Sequence, residues 1–190
     1  MLLLVGLGNP GSNSANNRHN IGFKIIDAIN IHFKLSKQKP KFKGLLTTGN
    51  IESKKIYAIK PLTFMNNSGT AIKELIDYFK IDAKDVFVFH DDMDIDFGKI
   101  KAKFGGSSAG HNGIDSIDKF IGKDYSRVRI GIGQPKQKNK VNNHVLEDFK
   151  EDEEEKIKEI AENIVKLIPT LIEKKIDLFS SKVNQNLNGI

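Results

Sequence analysis

The 190-residue chain contains no cysteine and no tryptophan. Without thiols there is no disulfide scaffold, no cysteine nucleophile, no thiolate zinc site and no iron–sulfur cluster. No apolar run is long enough to span a bilayer. The apolar opening, residues 1–5, meets Gly6 too early and lacks a basic leader, so it is expected to be a buried strand and not a signal peptide. Arginine is scarce. Only Arg18, Arg127 and Arg129 are present, and the net charge of +6 comes from lysine. Hydrophobic residues at 38% and charged residues at 28% exclude a disordered chain, and the length suits one domain with a self-sufficient core.

The charge is unevenly spread. Residues 34–60 carry eight lysines against one acid, Glu52, whereas residues 147–162 form an acidic run. A polyanionic partner could meet the first and avoid the second, although both also read as ordinary solvated faces. Hydrophobic spacing predicts a doubly buried strand at residues 2–7 and a helix from about 18 to 33. After a basic connector at 34–42, two strands, 45–48 and 56–59, are joined by a turn at Gly49-Asn50. Ser68 caps a helix to Phe79. Residues 86–89 form a buried strand, and 99–104 form a strand that alternates lysine with apolar residues. A glycine-rich loop over 105–113 leads to a helix ending near Phe120, followed by a strand at 127–132. A final helix begins near Glu151, is bent or broken at Pro169, and ends in a frayed tail at 184–190. This order describes one α/β domain over 1–190, with a central mixed, mostly parallel sheet flanked by helices.

Several motifs carry chemistry. Gly6-Leu7-Gly8-Asn9-Pro10-Gly11 fits G-x-G-x-x-G after a strand, but no helix opens at once and Asp27 lies inside a helix. A tight loop presenting Asn9 is the better reading than a dinucleotide site. His19 and His90-Asp91 both follow buried strands, where open α/β sheets place ligands, so a histidine and an aspartate can meet at one rim as base and orienter. An imidazole with an ordinary pKa of about 6.5 can take a proton from water near neutrality. Asp92, Asp94 and Asp96 open like a calcium loop, but Phe97 and Lys103 fall where that loop needs Gly and Glu, so no metal is expected. Gly106-Ser107-Ser108-Ala109-Gly110 fits the G-x-S-x-G elbow, but it does not directly follow a buried strand. Lys99, Lys101 and Lys103 recur at steps of about 6.7 Å on one strand face, a pitch suited to backbone phosphates. Asn9, Asn66 and Asn112 place three carboxamides in loops that precede helices, and such groups suit a peptide backbone or a developing oxyanion.

Together these segments resemble the bacterial peptidyl-tRNA hydrolase family. The likeness rests on Gly6-Leu7-Gly8-Asn9-Pro10-Gly11, Arg18-His19-Asn20-Ile21-Gly22, Thr63-Phe64-Met65-Asn66, His90-Asp91, Gly110-His111-Asn112-Gly113 and Arg129-Ile130-Gly131-Ile132-Gly133, in that order and nearly over the whole chain. The resemblance implies a cytoplasmic monomer, without cofactor or metal, that cleaves the ester between a peptide and the terminal adenosine of tRNA. Its partner would be peptidyl-tRNA, held at the acceptor end and the 3′-CCA. It implies that His19 is the general base and Asp91 its support. Asn9, Phe64, Met65, Asn66, Gly110, His111 and Asn112 would line the substrate site, while Lys101, Lys103 and Arg129 would meet tRNA phosphates. Ser14 stands where the family usually has a tyrosine that contacts substrate. Asn17, Ala109 and Glu147 also depart from the usual threonine, glycine and glycine. The polar loop 134–143 reads as a lid. Two other readings are a serine esterase using Ser108 and a non-catalytic RNA-binding relative.

Overall fold

The computed structural model describes residues 1–135 and 140–189. Residues 136–139, within the loop expected to act as a lid, lie outside the described residues. Seven strands, numbered in chain order, are β1 (Leu2–Gly6), β2 (Lys39–Lys41), β3 (Gly44–Ile51), β4 (Lys54–Pro61), β5 (Val86–Asp92), β6 (Ile100–Phe104) and β7 (Ser126–Gly131). They form one sheet in the order β2-β3-β4-β1-β5-β7-β6. The central β4, β1, β5 and β7 are parallel, and β2, β3 and β6 join antiparallel at the two sides. The expected mixed, mostly parallel sheet flanked by helices is the fold found.

Alternation along the central strands divides the core in two. Leu2, Leu4, Phe87 and Phe89 face one side, where they meet α1 (Ile21–His32), α5 (Glu151–Ile172) and α6 (Ile176–Leu187). Leu3, Val5, Val86 and Val88 face the other, against α2 (Ser68–Phe79) and α3 (Asn112–Ile121). A strand covered on both faces must be apolar throughout, which is why β1 reads as an unbroken hydrophobic run. Gly6 and Gly22 set how closely α1 crosses that strand. A Cβ on Gly6 would collide with the Gly22 carbonyl, and one on Gly22 with the Leu7 nitrogen and the Phe89 carbonyl. This close crossing brings the turn before α1 down onto the carboxyl ends of β1 and β5.

Several local expectations change. The β3–β4 turn lies at Glu52-Ser53, since Gly49 and Asn50 are paired in the ladder with Ile56 and Lys55. Gly49 is small for another reason: a Cβ there would press on the Leu35 side chain at 2.6 Å. Part of the basic connector is the exposed edge strand β2. The first helix is preceded by a separate 3₁₀ turn, Arg18–Asn20. β5 continues to Asp92, so His90 and Asp91 are strand residues. Helix α5 runs through Pro169 and ends only at Ile172, so the proline does not break it. The tail is helical to Leu187 instead of frayed from 184, since Phe179, Val183 and Leu187 bury one face of α6. Asn184 also ties that helix to β6, accepting from Ile100 N–H and donating to its carbonyl.

Candidate active site

Asp91, 2% exposed, sits at the rim formed by the carboxyl ends of β1 and β5. Its carboxylate accepts hydrogen bonds from two histidines. His19 donates from Nδ1 to Oδ1 and Oδ2 at 2.8 and 2.9 Å. His111 donates from Nε2 to Oδ1 at 2.8 Å. Burial alone would push the Asp91 carboxyl up. His111 and His19 outweigh it and hold the group well below the usual carboxylate range. Both tautomers follow from the partners. A carboxylate only accepts, so His19 carries its proton on Nδ1 and its Nε2 lone pair is left over. Among the described residues that Nε2 has no hydrogen-bond partner, and His19 lines the two adjoining pockets.

His111 is fixed from its other side. It is the N-cap of α3, and its Nδ1 accepts from Gly113 N–H at 3.1 Å and Ile114 N–H at 3.3 Å. Its proton must therefore sit on Nε2, facing Asp91. One imidazole satisfies two amides at the start of a helix and braces the carboxylate. His90 stays outside the pockets. Its Nδ1 donates to the Asp91 carbonyl at 2.8 Å, and its ring stands edge-on to His111 at 4.9 Å. Burial is the main cause that pushes its pKa down to about 3, so it is uncharged at neutrality.

The carboxamides surround one of the two pockets, which is lined by Asn9, His19, Phe64, Met65, Asn66 and Asn112 together with Asn142, Val145 and Leu146. Asn9 is held at three atoms. Its N–H donates to Asn20 Oδ1 and its carbonyl accepts from Asn20 Nδ2, both at 2.9 Å, while its Oδ1 accepts from Met65 N–H at 2.9 Å. Only the Nδ2 donor of Asn9 remains to be offered to a ligand. Asn66 and Asn112 are exposed at the same pocket, and Phe64, 71% exposed, forms an apolar wall. Met65 is buried, and Gly113 leaves room for it, since a Cβ there would lie 2.5 Å from its sulfur. Gly110 and Ser108 line the second pocket with Asp91 and His111.

Other expected residues fall elsewhere. Ser14 is half-buried in the 3₁₀ turn Ser12–Ser14 and lines neither of these pockets. The Ser108 hydroxyl accepts from Gly110 N–H at 3.3 Å, and among the described residues no histidine bonds to it. Lys101, Lys103 and Arg129 do come together: Lys101 pairs with Arg129 and Lys103 with Arg127 across β6 and β7, which puts all four on one face. Arg129 is partly engaged, its Nε donating to Asp92 Oδ2 at 2.8 Å. Lys99 leaves that row and bonds Asn188 on the far side at 3.0 Å. The lysine-rich stretch is partly satisfied within the fold, with Lys60 on Asp27 at 2.6 Å and Lys43 on Glu74 at 3.5 Å.

His19, Asp91 and His111 also form a group that could hold a metal ion, their donor atoms lying within 4.8 Å of one another. Both nitrogens that face Asp91 carry protons, which its carboxylate accepts. The Nε2 that would ligate from His111 is the one that capping of α3 forces to be protonated, so a metal would have to unmake the cap or both hydrogen bonds. The donor set fits a hydrogen-bonded relay better than a metal centre.

Sequence reasoning missed two parts of the site. Asn20 holds Asn9, and its only signal is a second carboxamide in the same Arg-His-Asn turn. Asn142, Val145 and Leu146 come from α4 (Val141–Leu146), a six-residue helix too short for periodicity to reveal.

A family model described as peptidyl-tRNA hydrolase matches residues 3–189. A peptidyl-tRNA hydrolase of Pelagibacter ubique is 73% identical over 184 residues, covering 97% of this chain and 99% of its own. One from Bartonella henselae is 45% identical over 189 residues, covering 100% and 98%. Among solved structures, the Acinetobacter baumannii peptidyl-tRNA hydrolase superposes with a TM-score of 0.90 at 33% identity, over 97% of this chain and 94% of that one.

Proposed function

The chain belongs to the peptidyl-tRNA hydrolase family and is a hydrolase, and from that premise we propose how its own residues carry out the reaction. The bond cleaved is the ester between the peptide and the 3′-terminal adenosine of tRNA. His19 Nε2 takes a proton from water, which attacks the ester carbonyl. Asp91 stabilises the imidazolium through Nδ1–H and keeps the ring in the tautomer that leaves Nε2 basic. His111 braces Asp91 from the opposite side. Asn9 Nδ2, with Asn66 and Asn112 around the same pocket, donates to the peptide carbonyls as charge develops. As the ester C–O bond breaks, the imidazolium returns its proton to the departing ribose 3′-oxygen; this oxygen leaves far more readily than an amide nitrogen would, so activated water suffices without a covalent intermediate. General-base assistance of this kind is worth about 10²–10⁴-fold and one oxyanion donor about 10²–10³-fold.

The observation that carries this reading is His19 Nε2, without a partner among the described residues, on a side chain that lines the asparagine-rich pocket while its other nitrogen is committed to a buried carboxylate. The exposed face of Phe64 suits stacking of a base from the 3′-CCA. Lys101, Lys103 and Arg129 lie where charge could follow the acceptor-stem backbone. The same reading makes the enzyme a monomer acting in the cytoplasm, where its substrate arises. Among the described residues no helix is long and apolar enough to cross a membrane.

Ester release from N-acetyl-aminoacyl-tRNA, measured beside unblocked aminoacyl-tRNA, tests the reading. The blocked substrate should be cleaved and the unblocked one spared. His19→Ala should abolish cleavage while tRNA binding survives, and Ser108→Ala should keep most of the rate. Near-wild-type turnover by His19→Ala, or a fluorophosphonate adduct on Ser108, would overturn it.

A further inference from the structure

Arg18 precedes the proposed general base, yet its side chain points away from both pockets into the protein. It is 5% exposed. Nη1 donates to the Asp148 carbonyl at 2.6 Å, and Nη2 reaches both Glu153 oxygens at 3.1 and 2.9 Å. The guanidinium lies over the Phe149 ring, 5.1 Å from its centre. The backbone is tied at the same place. Arg18 N–H donates to the Glu147 carbonyl at 3.0 Å, Phe149 N–H donates to the Asn16 carbonyl at 3.1 Å, and Asn17 Nδ2 donates to Asp148 Oδ1 at 2.7 Å.

These contacts meet between two pieces that cannot hold themselves. The turn Arg18–Asn20 is a single 3₁₀ turn, too short to be rigid alone. Helix α4, whose Asn142, Val145 and Leu146 wall the pockets, has six residues, packs on that turn, and runs directly into Glu147 and Asp148. Glu153 belongs to the first turn of the long, core-anchored α5, where it also accepts Lys150 N–H at 2.8 Å. The ion pair therefore fastens the base-bearing turn and the pocket wall to one rigid helix end.

Resting on the reading of His19 as general base, we propose that Arg18 is a positioning residue: its clamp on Asp148 and Glu153 fixes where His19 stands relative to the pocket. The clamp touches neither substrate nor the imidazole. It acts through the position of the base-bearing turn, so its loss falls on turnover before binding. Lysine cannot replace it, because an ammonium reproduces neither the simultaneous reach of two nitrogens to the Asp148 carbonyl and the Glu153 carboxylate nor the stacking on Phe149.

The test compares Arg18→Lys, Glu153→Gln and the double variant as full-length proteins, assayed well below their melting temperatures. A small displacement of a reacting group costs up to about 10²-fold. Each single variant should lose about 10–100-fold in kcat with KM within about twofold, and the double variant should be no worse than the singles. The pH profile should keep its midpoints, and the His19 Nδ1–H proton resonance should shift or broaden. A fall in melting temperature alone, with kcat and that resonance unchanged, would overturn the proposal, as would a rise in KM at constant kcat. His19→Ala run in parallel separates the two readings. If it abolishes cleavage while the clamp variants turn over normally, only the clamp fails. If it retains activity, the underlying mechanism fails first.

Discussion

The rim around Asp91 and the edge formed by β6 and β7 grow from neighbouring strand ends, yet they are assembled in opposite ways. At the rim, the side chains of His19, Asp91 and His111 are 9%, 2% and 10% exposed, and each polar atom but one is committed to a named partner. At the edge, Lys101 is exposed and Lys103 half-buried. Arg129 has one fixed contact, to Asp92. There the cations crowd one another: partial burial, then Arg129 and Arg127, push the Lys103 pKa down. A chemical step needs atoms held in place before substrate arrives, whereas a polyanion needs only charge within reach. Asp91 and Asp92, adjacent in sequence, fall on either side of this divide, one braced by imidazoles and the other neutralising an arginine.

The comparison breaks most severely at the rim. Asp91→Asn keeps an acceptor near His19 but removes the negative charge that the proposed mechanism sets beside the imidazolium, so kcat should fall about 10²-fold, short of the complete loss expected for His19→Ala. Single-turnover kinetics on one defined peptidyl-tRNA would show it, with tRNA affinity unchanged. At the edge the effect should be smaller and of another kind. Neutralising Lys101 and Lys103 together should weaken tRNA substrates about tenfold and spare short esters. Each lost phosphate contact should flatten the log-affinity against log-salt slope by about 0.7–0.9. An unchanged slope would move the tRNA track away from this edge.

The smallest effect on activity concerns His90, which supports the rim without lining it and acts on stability. Its folded pKa lies at about 3, mainly because of burial, against about 6.5 for an unfolded histidine. Below pH 6.5 the unfolded chain takes up a proton that the folded protein refuses. This group therefore costs stability progressively as pH falls from 6.5 toward 3. The Asp91 contribution is lost only lower, below the ordinary carboxylate value near 4. His90→Asn keeps a donor for the Asp91 carbonyl and should flatten the decline between pH 6.5 and 4.5. Urea unfolding at both pH values measures this, and an unaltered slope would mean that His90 titrates as it would in water.

What the sequence disclosed follows from the range of each interaction. Strand alternation and the chemistry of His19, Asp91 and the asparagines are written within a few residues and can be read there. The Gly49 misreading shows the limit. A glycine beside an asparagine carries a turn signal, but this one exists to admit Leu35. Arg18 is invisible for a different reason, since its partner Glu153 lies 135 positions away within an acidic run that resembles any solvated helix start. Ser14, which the resemblance expects to contact substrate, sits in a 3₁₀ turn that lines neither of the two pockets. His111 was named as a lining residue; that it also caps α3 depends on the angle at which the chain enters that helix.

Because Nδ1 of His111 is the acceptor for the Gly113 and Ile114 amides, any event that protonates or rotates this ring must release two backbone N–H groups at the start of α3. Their hydrogen-exchange rates and amide chemical shifts should register what happens at Asp91, without a label in the pocket. Two ordinary backbone signals thereby become a spectator of the Asp91 rim, readable in the resting protein and with substrate present alike.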